Sequence, residues 1–181
     1  MGHEEHQALA EQQAEDKPIT ACILTVSDTR THQDDHGGDA IEQRLVGSGC
    51  RIIQRSITRD EPGNIRDVLT AWIDRGDVQV ILCTGGTGIA RRDTTIEVVR
   101  SLLHVQLDGF GELFRSISHA RIGSAAMLSR STAGLAVSAS ATTEDPGTLI
   151  FAMPGSLDAV ETAMDELIIP QLRHLIWERR R

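Results

Sequence analysis

The segment Ile52 to Cys83 constrains the fold more than any other. An apolar run, Ile52 to Ile57, is followed by Pro62 and then by Ile65, Val68, Leu69, Trp72 and Ile73. Those five residues recur at i, i+3, i+4, i+7 and i+8, the period of a helix with one buried face, and Pro62 falls near its first turn. Val78 to Cys83 then reads as a second buried strand. A strand, an amphipathic helix and another strand predict a βαβ unit with a parallel pair and a right-handed crossover.

The rest of the chain extends this pattern. Ile19 to Val26 is read as a strand, and a helix from about Gly38 to Val46 carries Ile41 and Leu45 on one face. Thr94 to Leu103 and Gly109 to Ala120 read as helices, with a short helical piece at Ala125 to Arg130. Leu135 to Ser138 and Leu149 to Met153 read as a strand pair around the turn signal Asp145-Pro146-Gly147, which makes the sheet mixed. A last amphipathic helix follows Ser156, with Pro170 breaking or kinking it before Leu172 to Trp177. The predicted architecture is α/β, in three layers around a mostly parallel mixed sheet.

At 181 residues one domain is expected, over residues 18–181, with residues 1–17 a polar, flexible or weakly helical tail. A net charge of −8 argues against a basic nucleic-acid-binding face. Cys22, Cys50 and Cys83 have neither paired nor metal-type spacing, so reduced thiols and a cytoplasmic location are expected. The apolar runs are strand-sized, and no membrane span is expected.

The chemistry concentrates where strands hand over to helices. After Val78 to Leu82 comes Cys83-Thr84-Gly85-Gly86-Thr87-Gly88-Ile89-Ala90-Arg91-Arg92-Asp93. Its glycines let backbone amides face an anion, and a helix beginning near Thr94 adds its positive end. The loop lacks the Gly-Lys-Ser/Thr of a Walker A motif and the third small residue of a dinucleotide fingerprint. It reads as a phosphate or pterin site, with a structural turn as the competing reading. Thr25 to Asp28, Thr58 to Glu61 and Met153 to Ser156 are also strand ends, and in a parallel sheet such ends share one edge. Asp60 and Asp93 can both reach that edge and would suit Mg²⁺, although each also suits a turn or a helix cap. Ser129-Arg130 offers a hydroxyl and a cation to a phosphate, or forms an ordinary turn. His32 to His36 has metal-like spacing but no supporting ligands elsewhere.

Taken in order, Thr25-Val26-Ser27-Asp28, Asp60-Glu61, Thr84 to Gly88, Arg92-Asp93, Gly109-Phe110-Gly111-Glu112, Ser129-Arg130 and Phe151 to Ser156 resemble the family of molybdenum cofactor biosynthesis protein B and molybdopterin adenylyltransferase. The resemblance runs from Ile19 to about Leu172. It implies a compact molybdopterin-binding α/β domain assembled as a homotrimer or homohexamer, working beside other enzymes of the cofactor pathway. It also implies transfer of AMP from ATP to molybdopterin with Mg²⁺, releasing pyrophosphate. The alternative is a molybdopterin carrier without catalysis.

In that reading Asp60 and Asp93 are the catalytic and metal-binding residues. Ser27, Asp28, Gly85, Gly86, Thr87, Gly88, Ser129, Arg130, Pro154, Gly155 and Ser156 contact substrate. The chain departs from the family at Gly37, where Ser is frequent, and at Ile96, where Pro is common. Ser138 to Gly147 resembles an insertion in a hairpin.

Overall fold

The structure is a computed structural model that describes residues 17–142 and 145–180. Six strands form one sheet: β1 (Thr20–Val26), β2 (Arg51–Thr58), β3 (Val80–Thr84), β4 (Leu103–Gln106), β5 (Thr132–Ala136) and β6 (Thr148–Met153). Their order is β2-β1-β3-β6-β5-β4. The first four in that order run parallel, while β5 is antiparallel to both β6 and β4. The helices are α1 (His36–Gly47), α2 (Pro62–Ile73), α3 (Thr95–Leu102), α4 (Asp108–Ile122), α5 (Leu157–Ala163) and α6 (Ile169–Glu178).

The central strands are apolar on both faces, which is why they sit between two helical layers. Ala21 and Ile23 of β1, Val80 and Leu82 of β3, and Phe151 and Met153 of β6 pack with Ile41 and Leu45 of α1, Phe114 of α4 and Leu172 of α6. The alternate residues Cys22, Leu24, Ile81, Cys83, Ile150 and Ala152 face Ile65, Leu69 and Trp72 of α2 and Val98 and Val99 of α3. Each layer therefore uses one parity of every strand. All three cysteines are buried and free, and burial pushes the Cys22 thiol up to about 11.

Two expectations about local structure are corrected. Leu103 does not close the preceding helix; it begins β4, whose side chains are mostly exposed at the sheet edge and so carry little apolar signal. The strand expected at Leu135 begins three residues earlier, at Thr132, where small buried residues replace the usual β-branched pattern. The α-helical pattern is interrupted just before Pro170: a π-helical turn at Met164–Ile168 separates α5 from α6, and the proline falls in the first turn of α6. The β5–β6 hairpin forms as expected, with Gly147 at φ 70° and its N–H donating to Asp145 at 2.8 Å. The expected N-terminal tail lies outside the described residues except for Lys17. Among the described residues no helix is long and apolar enough to cross a membrane.

Candidate functional site

The carboxyl ends of β1, β2, β3 and β6 lie side by side and are tied to one another. The Ser27 N–H donates to Thr58 O at 2.8 Å, Gly85 N–H donates to Met153 O at 3.2 Å, and the Thr84 hydroxyl donates to Pro154 O at 3.1 Å. A groove of about 480 Å³ opens above these ends, lined among others by Ser27, Gly85 to Gly88, Asp93, Ser129, Pro154 and Gly155. These residues come from five separate stretches of sequence. They include nine of the residues that the sequence singles out.

Glycine at positions 85 and 86 is a requirement of contact as well as of backbone angle. Gly85 has φ 92°, and a Cβ there would lie 2.2 Å from Val26 O. Gly86 has φ 59°, and its Cβ would lie 2.4 Å from Thr95 Oγ1 and 2.6 Å from Asp60 Oδ2. The carboxylates thus press against the loop from below and from its far end. Asp60 is buried, and its Oδ1 accepts from the Thr94 N–H at 3.3 Å and the Thr94 hydroxyl at 3.2 Å. Burial pushes the Asp60 carboxyl above its ordinary value, and the charges of Asp93 and Asp28 push the same way against the Thr94 donors. Asp93 Oδ2 accepts from Ala90 N–H at 2.8 Å, closing the end of the loop.

A cation would answer several features at once. Thr95 Oγ1 is buried with no hydrogen-bond partner, and it converges with Asp60 Oδ2 on the same point beside Gly86. Asp60 Oδ2 and the Thr95 hydroxyl are hard oxygen donors at one point of the loop, Asp93 Oδ2 lies against Gly88 farther along it, and the charge of Asp93 bears on Asp60. These residues fit Mg²⁺ shared with a phosphate.

Four of the expected residues lie outside the groove wall. Asp28 pairs with Arg92 at 3.1 Å on the rim. Ser156 precedes α5 as its first flanking residue, and Asp60 lies beneath Gly86. Arg130 is turned into the protein's own loop. Its Nε donates to Thr87 O at 2.9 Å, its Nη2 donates to Asp93 O at 3.0 Å, and it pairs with Glu97. It grips the glycine loop from behind, and its hydrogen bonds hold the Glu97 carboxyl below the usual range.

Arg30 and Asp35 are not among the residues that the sequence singles out for the site. Arg30 lines the groove and donates to Gly155 O at 2.9 Å. Asp35, fully buried, accepts from Gly38 N–H at 3.1 Å as the cap of α1 and from the Thr25 hydroxyl at 2.8 Å. It also pairs with Arg55 at 2.8 Å. The signal for Asp35 was present, because an Asp three residues before a helical Gly is a capping pattern. Arg30 carried none, being one cation in a polar loop. Gly37, where the family often has Ser, has ordinary van der Waals room for a Cβ, 3.5 Å from Arg30 and 3.8 Å from Gly155 O.

A mixed, mostly parallel sheet with a glycine loop, the buried Asp60 and the half-buried Asp93 at its carboxyl edge defines an open α/β protein, a class that binds ligands at that edge. The chain belongs to the family described as probable molybdopterin binding domain, which matches residues 22–174. Molybdenum cofactor biosynthesis protein B of Bacillus anthracis is 42% identical over 166 residues, spanning 91% of this chain and 93% of that protein. A crystal structure of a molybdenum cofactor biosynthesis protein B superposes with a TM-score of 0.81 at 40% identity, covering 91% of this chain and 98% of the other. The tungsten cofactor synthesizing protein MoaB of Pyrococcus furiosus gives 0.79 at 32% identity, covering 92% and 100%.

Proposed function

We propose that this protein binds molybdopterin in the groove above β1, β3 and β6 and adenylylates it with Mg-ATP. Family membership assigns the chain a role in molybdenum cofactor biosynthesis. The observation that carries the finer reading is the convergence of Asp60, Asp93 and the unpartnered Thr95 hydroxyl on the glycine loop. In the reaction, an oxygen of the pterin's terminal phosphate attacks the α-phosphorus of ATP. The bond from that phosphorus to the bridging oxygen breaks, and pyrophosphate leaves with its electron pair. Both reactants are anionic, so holding them together is the main task.

The chain's own groups divide that task. The amides of Gly85 to Gly88 cradle phosphate oxygens, and the Thr87 and Ser129 hydroxyls add donors. Ser27, Pro154 and Gly155 form the opposite wall, with Asp28 and Ser156 beyond it at the rim. Arg130 keeps the loop in place from behind, and Arg30 stiffens the Gly155 turn. Asp60 and Asp93 would hold Mg²⁺, which supplies charge neutralisation to the phosphates when bound. Arg30, the cation in the groove wall, is already engaged with Gly155 O and Asp35, so neutralising the reactants' charge falls to such an ion.

The test is a single-turnover assay with molybdopterin, ATP and Mg²⁺, following adenylylated pterin. Asp93→Asn is expected to lower the rate by roughly 10²–10³. Wild-type transfer by that variant sinks the catalytic assignment. Tight pterin binding with no transfer by the unsubstituted chain makes the protein a carrier, a reading favoured by the purely structural bond from Ala90 to Asp93.

Assembly as a homotrimer or homohexamer belongs to the same proposal. Leu113, Ile122 and Met127 expose large apolar side chains along α4 and the turn after it, with Met127 77% exposed. Light scattering checks the assembly, and a monomer at micromolar concentration counts against it.

A further inference from the structure

A second, larger groove of about 620 Å³ lies at the opposite edge of the sheet, where β1, β2, β3 and β6 begin. Lys17, Arg51, Arg173, Arg179 and Arg180 line it, with Asp77 as its single carboxylate. Asp77 is paired with Arg75 at 2.9 Å, and Arg75 lies outside the wall. Five cations thus line the groove of a chain whose net charge is −8. The overall composition does not account for such a concentration.

The cations come from three places in the sequence: the entry to β1, the start of β2, and α6 with the residues after it. Arginines near the end of α6 answer the negative pole of that helix. Lys17 and Arg51 have no such role. Among the described residues no carboxylate lies within ion-pair distance of Arg51, Arg173 or Arg179. Arg173 reaches only Ser48 O, at 3.3 Å. Arg179 donates to Gly147 O, and its Nε is buried with no partner. Desolvation there holds its guanidinium down to about 10. A desolvated guanidinium with an unfilled donor is a natural seat for an oxyanion. The indole of Trp177 forms part of the wall, with Ile176, Pro18 and Pro146 beside it. Such a surface receives a flat ring, and the volume lies in the range of small-molecule sites.

We propose that this groove binds a phosphorylated ligand bearing a flat aromatic ring, of nucleotide size. The phosphate is held by Arg51, Arg173 and Arg179, and the ring lies against Trp177. The site is separate from the groove at the carboxyl edge and does not depend on the reaction assigned there.

The chain carries its own reporter, because its two tryptophans are Trp72 and Trp177 and Trp72 is buried on the inner face of α2. In the full-length Trp72→Phe protein, titration with guanosine diphosphate is expected to change Trp177 emission saturably. Arg51→Ala with Arg173→Ala should weaken that binding by roughly tenfold or more, and rising salt should weaken it further. Asp93→Asn, at the other edge, should leave it unchanged. Calorimetry on the unsubstituted chain provides the same comparison without relying on the Trp72 substitution. The proposal is overturned by no saturable signal, by undiminished binding to the double variant, or by inorganic pyrophosphate binding as tightly as the nucleotide.

Discussion

Asp60, in the loop after β2, caps α3 through the residue that leads into it, 34 positions later: its Oδ1 accepts both the backbone N–H and the hydroxyl of Thr94. Thr94 itself makes no side-chain cap bond to α3. The carboxylate assigned to metal binding is thus also the clasp that seats the glycine loop against its helix. Its structural and chemical roles separate by substitution.

Asp60→Asn retains an acceptor for Thr94, whereas Asp60→Ala removes it, and the alanine variant should lose about 1 kcal/mol in urea denaturation. Both should lose AMP transfer. The pH dependence carries a second signature. The folded Asp60 carboxyl lies above its unfolded value, so its contribution to stability is complete below the unfolded value, near ~4, and is lost as pH rises through the folded one. The asparagine variant should therefore gain stability relative to the parent as pH climbs from acid to neutral. A gap independent of pH refutes the burial argument.

Gly86→Ala forces a Cβ against Thr95 and Asp60 at a φ of 59° and should cost about 1–3 kcal/mol together with ligand binding. Gly109→Ala is the matched control. Nothing lies within 4 Å of its added carbon, and in a helix the change should stabilise by about 0.5–1 kcal/mol. Thermal denaturation of the pair measures both signs.

Arg55→Leu would leave the fully buried Asp35 with only the more distant Arg30, at 3.9 Å, as a cation, in place of the 2.8 Å pair with Arg55 that offsets its desolvation. A loss of about 3–5 kcal/mol is expected, read as a lower urea midpoint at unchanged slope. Replacing the exposed Arg91 should change stability by less than ~0.5 kcal/mol.

Arg130→Lys cannot reach Thr87 O, Asp93 O and Glu97 together, because an ammonium lacks the planar fork. The loop should loosen, raising KM for pterin more than it lowers kcat. Glu97 titration measured by NMR should move back up toward the ordinary glutamate range, since Arg130 holds it down. An unmoved Glu97 counts against the contact.

Much of the architecture was legible locally. The helical period of Ile65 to Ile73, the apolar runs of β1, β3 and β6, and the glycines after Thr84 each follow from neighbours in sequence. β4 was not legible, because a four-residue edge strand with exposed side chains leaves no periodic pattern. The loop contacts of Arg130 were not legible for a related reason. A cation beside a serine can serve a phosphate or a carbonyl, and only the approach of Thr87 and Asp93 decides between them.

The sequence by itself determined the α/β class, the parallel core and the carboxyl-edge location of the glycine loop, since hydrophobic period and turn chemistry act over a few residues. Tertiary structure alone decided that Asp60 caps α3, that Arg30 and Asp35 buttress the site, and that Lys17, Arg51 and Arg173 share a groove. Those arrangements join residues tens to more than a hundred positions apart. Strand order sets such juxtapositions, and no local spacing records it.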